Sequence, residues 1–211
     1  MKLGNLLRFF LMVFAALNML VIAPQFAAVF AGESVNPSTL NPPPPPQFNP
    51  VCEKDGNQTI CTVQFSDPPF AGGSGVICGT GPNAYEVFQF QNRSVQGRRY
   101  YDGNGNLTRR HFREVFEGTL TNPLSHTSLS FSGGDTHLHD LAVPGDINTG
   151  TEATTGSVRI FLRNGGTFPI DIGRILDSDH GILSESGQHP FLDYFVFGDT
   201  TALQPLCDAL K

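Results

Sequence analysis

The sequence predicts an all-β protein: a single antiparallel β-barrel with a short C-terminal helix, a two-sheet sandwich being the alternative. Three observations carry this. From Val51 onward, β-type runs alternate apolar and polar residues with a period of two. Turn signals rich in Gly, Asn, Asp and Pro separate these runs at intervals of about 8–12 residues, giving roughly eight to ten short strands. No ten-residue window before Thr200 carries the 3.6-residue period of a helix.

In chain order, the first segment is a leader. Lys2 and Arg8 make a positive start, Phe9 to Ile22 is apolar apart from Asn18, and Val29-Phe30-Ala31 supplies small residues for cleavage. This is the pattern of a secretory signal peptide over residues 1–31, with an uncleaved membrane anchor as the rival. Residues 32–50 follow, with five consecutive prolines from Pro42 to Pro46. Proline fixes φ and removes the backbone donor, so this stretch reads as a semi-rigid polyproline spacer. The folded domain is expected over 51–211.

Within it, Thr59 to Phe65 is the first clear strand, and Ser66 to Gly75 reads as a loop. Ala84 to Gln91 and Ser94 to Tyr101 lead into Asp102-Gly103-Asn104-Gly105-Asn106, dense turn chemistry in which Gly adopts positive φ freely and Asn and Asp tolerate it. After the turn, Phe112, Phe116 and Leu120 share one face of the strand and Arg109, His111, Arg113 and Glu117 the other, so the turn closes a hairpin with one buried face. Leu124 to Phe131 alternates, Ser132-Gly133-Gly134-Asp135 reads as a turn, and Thr136 to Val143 returns. Gly156 to Arg163 and Phe168 to Leu176 form a further pair around Asn164-Gly165-Gly166. Ile182 to Gly187 and Phe191 to Phe197 complete the strands, and Thr201 to Leu210 is one short helix presenting Leu203, Leu206, Cys207 and Leu210 together.

Charge and cysteine content bound the function. Without the leader's two basic residues, eleven Lys and Arg face nineteen Asp and Glu, a net charge of −8. That balance, with no Lys/Arg run, excludes nucleic acid as a partner. Arg98-Arg99 and Arg109-Arg110 flank the same turn. They read as solvated strand edges that discourage aggregation, or as a small local basic patch. The four cysteines are even in number and lack a Cys-x-x-Cys pair, so two disulfides are expected in an exported chain. Of the three connectivities, Cys52–Cys61 is favoured as a local clip and Cys78–Cys207 as a long-range staple.

Two clusters carry chemistry. Asp135, His137 and His139 point to one side of a strand, a carboxylate with an HxH pair, which is how several divalent-metal sites begin. His111 or His126 would have to supply a further ligand; otherwise the cluster is a polar strand face beside a turn. Glu114 sits between Phe112 and Phe116 on the apolar face, with Arg110 facing the same way. An inward carboxylate needs a partner. It is either a buried structural pair or the orienting group of a ligand site made of Arg110, Phe112, Glu114 and Phe116. Asp102, Asn104 and Asn106 begin like a calcium loop, but Leu107 stands where glycine is needed and Arg113 where the bidentate Glu belongs. No nucleophile elbow or matched carboxylate pair is present, no catalytic residue is assigned, and no cofactor is implied.

The order of several short motifs resembles a set of uncharacterised secreted proteins of Gram-positive bacteria. These are the leader, Cys78 before the first long strand, the DGNGN turn with basic residues after it, EGTLTNP at Glu117 to Pro123, SGQHPF at Ser186 to Phe191 and LCDAL at Leu206 to Leu210. The resemblance spans about Ile77 to Leu210 and implies a small barrel of lipocalin or allene-oxide-cyclase shape, with no activity attached. The expectation is therefore a secreted, non-catalytic barrel that binds a small apolar ligand or an extracellular partner, without stable membrane association once the leader is cleaved. The alternatives are a barrel-type enzyme or metal-binding protein using the Asp135/His137/His139 face, and a structural envelope protein if the leader is retained.

Overall fold

The computed structural model of the chain describes residues 32–211, so the predicted leader lies outside the described residues. Nine antiparallel strands form one sheet: β1 (Val51–Asp55), β2 (Gln58–Ser66), β3 (Phe70–Cys78), β4 (Tyr85–Tyr101), β5 (Leu107–Thr121), β6 (Ser128–Asp140), β7 (Thr151–Phe161), β8 (Thr167–Ser178) and β9 (Gly181–Gln188). Two short helices follow, α1 (Pro190–Phe195) and α2 (Gln204–Ala209).

The strands run in the order β1-β2-β4-β5-β6-β7-β8-β9, with β3 also paired to β4. β4 is long enough to take two partners on one side: β3 pairs with Tyr85–Gln91 and β2 with Ser94–Tyr101. The all-β class is as predicted, but the sheet does not close into a barrel. β9 pairs only with β8, and all eight of its residues are exposed. The chain after β9 turns into α1 and α2 instead of supplying a closing strand. These helices cover the apolar end of one sheet face, so burial is completed by helices rather than by closure.

The segment Phe191 to Phe197, expected as a strand, is largely α1. Six residues are too few to display a helical period, and Pro190 occupies the first helical turn, where its missing N–H is no loss. Phe191 and Tyr194, three apart, pack on the core. The predicted C-terminal helix is present, and Leu203, Leu206, Cys207 and Leu210 are all buried. They join Val76, Val87, Leu120, Leu129, Phe131, Val158 and Ile160 in the main core. The Cys78–Cys207 disulfide pins α2 to the end of β3, and Cys52–Cys61 clips β1 to β2.

Two further expectations change. Ser66 to Gly75 is not all loop, since β3 begins at Phe70. Ser132 to Asp135 is not a turn but the interior of β6. Its glycines serve close strand approach: a Cβ on Gly133, at φ 154°, would stand 2.1 Å from the Ser157 carbonyl oxygen, and one on Gly134 2.4 Å from that of Glu114. Asp135 consequently sits in mid-sheet rather than closing a turn.

The proline-rich segment docks on the central hairpin. The Asn41 N–H donates to the Gly105 carbonyl (2.8 Å), and Leu107 N–H donates to Asn41 O (2.7 Å). The Tyr101 hydroxyl donates to Pro42 O (3.0 Å), and Phe48 stacks on Phe65 at 3.9 Å. Leu40, Cys52, Cys61, Tyr101 and Leu107 form a second small core there. In the turn itself, Asp102 Oδ1 accepts from the N–H groups of Asn104 and Asn106, both at 2.9 Å, so the calcium-like spacing is an Asx-type turn.

Candidate functional site on the inner sheet face

The antiparallel register sets what meets what on the face that α1 and α2 partly cover. One row runs Cys61, Arg99, Arg110, His139, Glu152 and Asp177 across six strands. The next runs Val63, Gly97, Phe112, His137, Thr154 and Ile175. A third runs Phe65, Val95, Glu114, Asp135, Gly156 and Gly173. The fourth holds Arg93, Phe116, Gly133, Val158 and Asp171. A charged band thus crosses the middle of the face, with the main core on one side and the smaller core on the other.

The four predicted ligand-site residues Arg110, Phe112, Glu114 and Phe116 all lie on this face. Glu114 is 7% exposed and does find a partner, though not Arg110. Arg93 clasps it bidentately through one guanidinium edge, Nε donating to Oε2 at 3.0 Å and Nη2 to Oε1, while Nη1 donates to Asp67 at 3.1 Å. The Glu114 hydrogen bond raises the Arg93 pKa against the opposing effect of burial.

Arg110 belongs to the neighbouring group. Its Nε donates to His139 Nδ1 (3.1 Å), and its guanidinium lies 3.9 Å from Glu152. Burial lowers its pKa, Glu152 opposes that, and Arg99 directly across the strand pair adds to it. His139 is 6% exposed, with Nε2 on the Thr149 carbonyl at 2.9 Å. Both ring nitrogens of His139 are therefore occupied by protein partners, Nδ1 by Arg110 and Nε2 by Thr149.

His137 is held the opposite way. Its Nδ1 lies 2.8 Å from Glu152 Oε1 and 3.1 Å from the Thr154 hydroxyl, its Nε2 lies 3.1 Å from Asp135 Oδ1, and its ring stacks on Phe112 at 4.5 Å. Burial pulls its pKa down, but hydrogen bonds and charge from Asp135 and Glu152 outweigh that, and the net value is about 9. His137 is therefore an imidazolium bridging two carboxylates at neutral pH. The same hydrogen bond holds the Glu152 carboxyl below its ordinary value against the effect of burial.

Of the residues read as a metal set, Asp135 and His137 converge, and Glu114 replaces His139 as the third member. Donor atoms of Glu114, Asp135 and His137 all lie within 4.8 Å of one another. His139 is committed to Thr149 and Arg110. His111 faces the opposite side of β5, and His126 lies in the loop before β6.

Beside Asp135 the floor of the face is bare. Gly156, Gly173 and Gly187 follow it in one register row across β7, β8 and β9. Between this floor and α1 lies a cavity of about 460 Å³, lined mainly by Phe116, Leu120, Phe131, Val158, Ile175, Phe191, Leu192 and Phe195. Asp135, Asp171, Ser74, Gln89 and Gln91 supply its polar groups. Asp171 is tied to the buried His189, whose Nε2 donates to Ser186 O at 3.1 Å.

Sequence reasoning missed Arg93, Glu152 and Thr154. All three follow from register: once β4 to β7 are aligned, Arg93 falls diagonal to Glu114, Thr154 opposite His137 and Glu152 opposite His139. The α1 wall of the cavity was missed because that segment reads as a strand. No protein-family model, curated protein or solved structure matches the chain.

Proposed function

We propose that the protein is a non-catalytic binding protein of the extracellular space, which takes a small, largely apolar ligand in the cleft between the sheet and α1. The single observation behind this reading is the cavity of about 460 Å³, walled by aromatic and aliphatic side chains with a few carboxylate and amide groups. Phe195, Val196 and Phe197 at the end of α1 are more than half exposed, which gives the mouth an apolar lip. The two disulfides, with no free cysteine, agree with an oxidising environment outside the cytoplasm. Among the described residues no helix is long and apolar enough to cross a membrane. The test is uptake of N-phenyl-1-naphthylamine. Saturable emission that is lost in Ile175→Trp, where the indole fills the cavity, supports the reading. A folded wild-type protein that leaves the probe dark ends it.

A second reading, divalent-metal binding, rests on the convergence of Glu114, Asp135 and His137. Glu152 on His137 Nδ1 stands where an outer carboxylate orients a ligating imidazole. A metal would have to displace the Nε2 proton and compete with Arg93 for Glu114. Zinc-dependent melting decides this: no difference between wild type and His137→Ala removes it. The enzyme alternative needs a free base or nucleophile, and each side chain of this cluster is engaged by a neighbour.

A further inference from the structure

The outer face of the sheet, opposite the cleft, carries a second feature. Arg98 and His111 are direct cross-strand partners on β4 and β5, and Arg113 pairs with Gln96 one row along. Arg98 and Arg113 are thus diagonal neighbours, about 7–8 Å apart in an antiparallel pair. Both are exposed, and among the described residues neither makes an ion pair or a side-chain hydrogen bond. Every other arginine on the central hairpin has a partner: Arg93 has Glu114, Arg109 has Asp140, Arg110 has Glu152, and Arg99 reaches Pro43 O at 3.4 Å.

Edge protection does not account for these two charges. β4 lies between β2 and β5, and β5 between β4 and β6, so both strands are internal to the sheet. Their charges guard no free edge, which corrects the reading of the basic pairs as solvated strand edges. Like charges placed side by side destabilise a strand pair unless something neutralises them. Here they border a depression of about 560 Å³, whose other polar walls are Thr62, Gln64, Gln96 and Thr136. No carboxylate lines it.

We propose that this depression is an anion site for a short phosphate-bearing polyanion. Two guanidinium forks match phosphate oxygens in pairs, His111 can add a third donor, and the hydroxyls and amides satisfy the remaining oxygens. The volume exceeds what one phosphate ion fills, so a chain of phosphates is the better occupant. Apart from Arg98 and Arg113, residues 32–211 carry nine Lys and Arg against nineteen Asp and Glu, a net charge of −10 that repels a long nucleic-acid backbone. The site lies on the face away from the cleft and does not depend on the function proposed there.

The experiment titrates the exported protein with tripolyphosphate, inorganic phosphate and a ten-nucleotide single strand, at low and high salt, by calorimetry. Tripolyphosphate is expected to bind best, with affinity falling as salt rises. Arg98→Gln with Arg113→Gln should weaken it at least tenfold, while Arg109→Gln, whose arginine is paired with Asp140, should change it less than twofold. Unchanged circular dichroism and melting would show that these exposed substitutions leave the fold intact. Absent binding, equal binding to the double variant, or tighter binding of the oligonucleotide overturns the proposal. Equal affinity for inorganic phosphate overturns the polyanion assignment.

Discussion

Glu114 and Asp135 stand directly opposite each other on β5 and β6, two carboxylates facing one another on the inner face. Such a pair is repulsive by itself. It persists because each carboxylate is neutralised from a different side, Glu114 by Arg93 and Asp135 by His137. The charged band is therefore a coupled unit, and its members should not behave independently.

Removing Arg93 leaves Glu114 buried without its cation. Arg93→Met should destabilise the protein by about 2–3 kcal/mol, less than the loss for a fully buried pair because the arginine is partly exposed. Glu114→Gln removes the buried charge itself and leaves Arg93, partly exposed, on Asp67, so it should cost less. Urea denaturation of both single variants and the double variant checks this, and a coupling near zero would show the pair to be energetically idle.

The His137 pKa, raised from 6.5 to about 9, makes stability depend on pH. The folded state binds the proton more tightly than the unfolded state. The contribution is complete below about pH 6.5 and is lost as pH rises through about 9, amounting to a few kcal/mol at most. His137→Asn should flatten melting temperature against pH across that window. A residual slope is expected from His189, whose pKa is also raised: burial pulls it down, but Ser186 and Asp171 outweigh that. An unchanged slope in the variant would rule out the bridging imidazolium.

The disulfides should differ in weight. Cys78–Cys207 spans 129 residues and Cys52–Cys61 nine. In the chain-entropy model these are worth about 4–5 and about 3 kcal/mol. Paired Cys→Ala variants, unfolded in guanidinium under non-reducing conditions, should rank in that order. A reversed ranking would mean that α2 holds its place on the core without the staple.

Gly133→Ala tests the close approach of β6 and β7. The new methyl would meet the Ser157 carbonyl at 2.1 Å in a conformation that L residues rarely adopt. A loss of about 1–3 kcal/mol from strain is expected, with further cost from displaced strands. Gly165→Ala, at φ 83° with open space around it, carries the backbone strain without the clash and serves as the reference. Equal losses would remove the packing argument.

The legible parts were those that local chemistry fixes. The DGNGN turn, the two faces of the hairpin after it and the common side of Asp135, His137 and His139 follow from a period of two. The inward carboxylate at Glu114 was legible as a residue needing a partner, but Arg93 was not legible as that partner. The pairing depends on which positions of β4 and β5 lie near each other, and Arg93 lies diagonal to Glu114 in that register. The glycines of β6 misled for a related reason, because Gly133 and Gly134 serve neighbouring strands rather than a bend of their own.

By itself the sequence determined the all-β class, the acidic charge, the even cysteine count and the terminal helix, since each depends on composition, spacing or the shape of one segment; the two cysteine pairings it only favoured among three. Only the tertiary structure decided that the sheet stays open, that α1 walls a cavity, and that Glu114 rather than His139 joins Asp135 and His137. Those outcomes depend on cross-strand register and on what covers a face. Both are contacts between residues far apart in the chain, which no local pattern encodes.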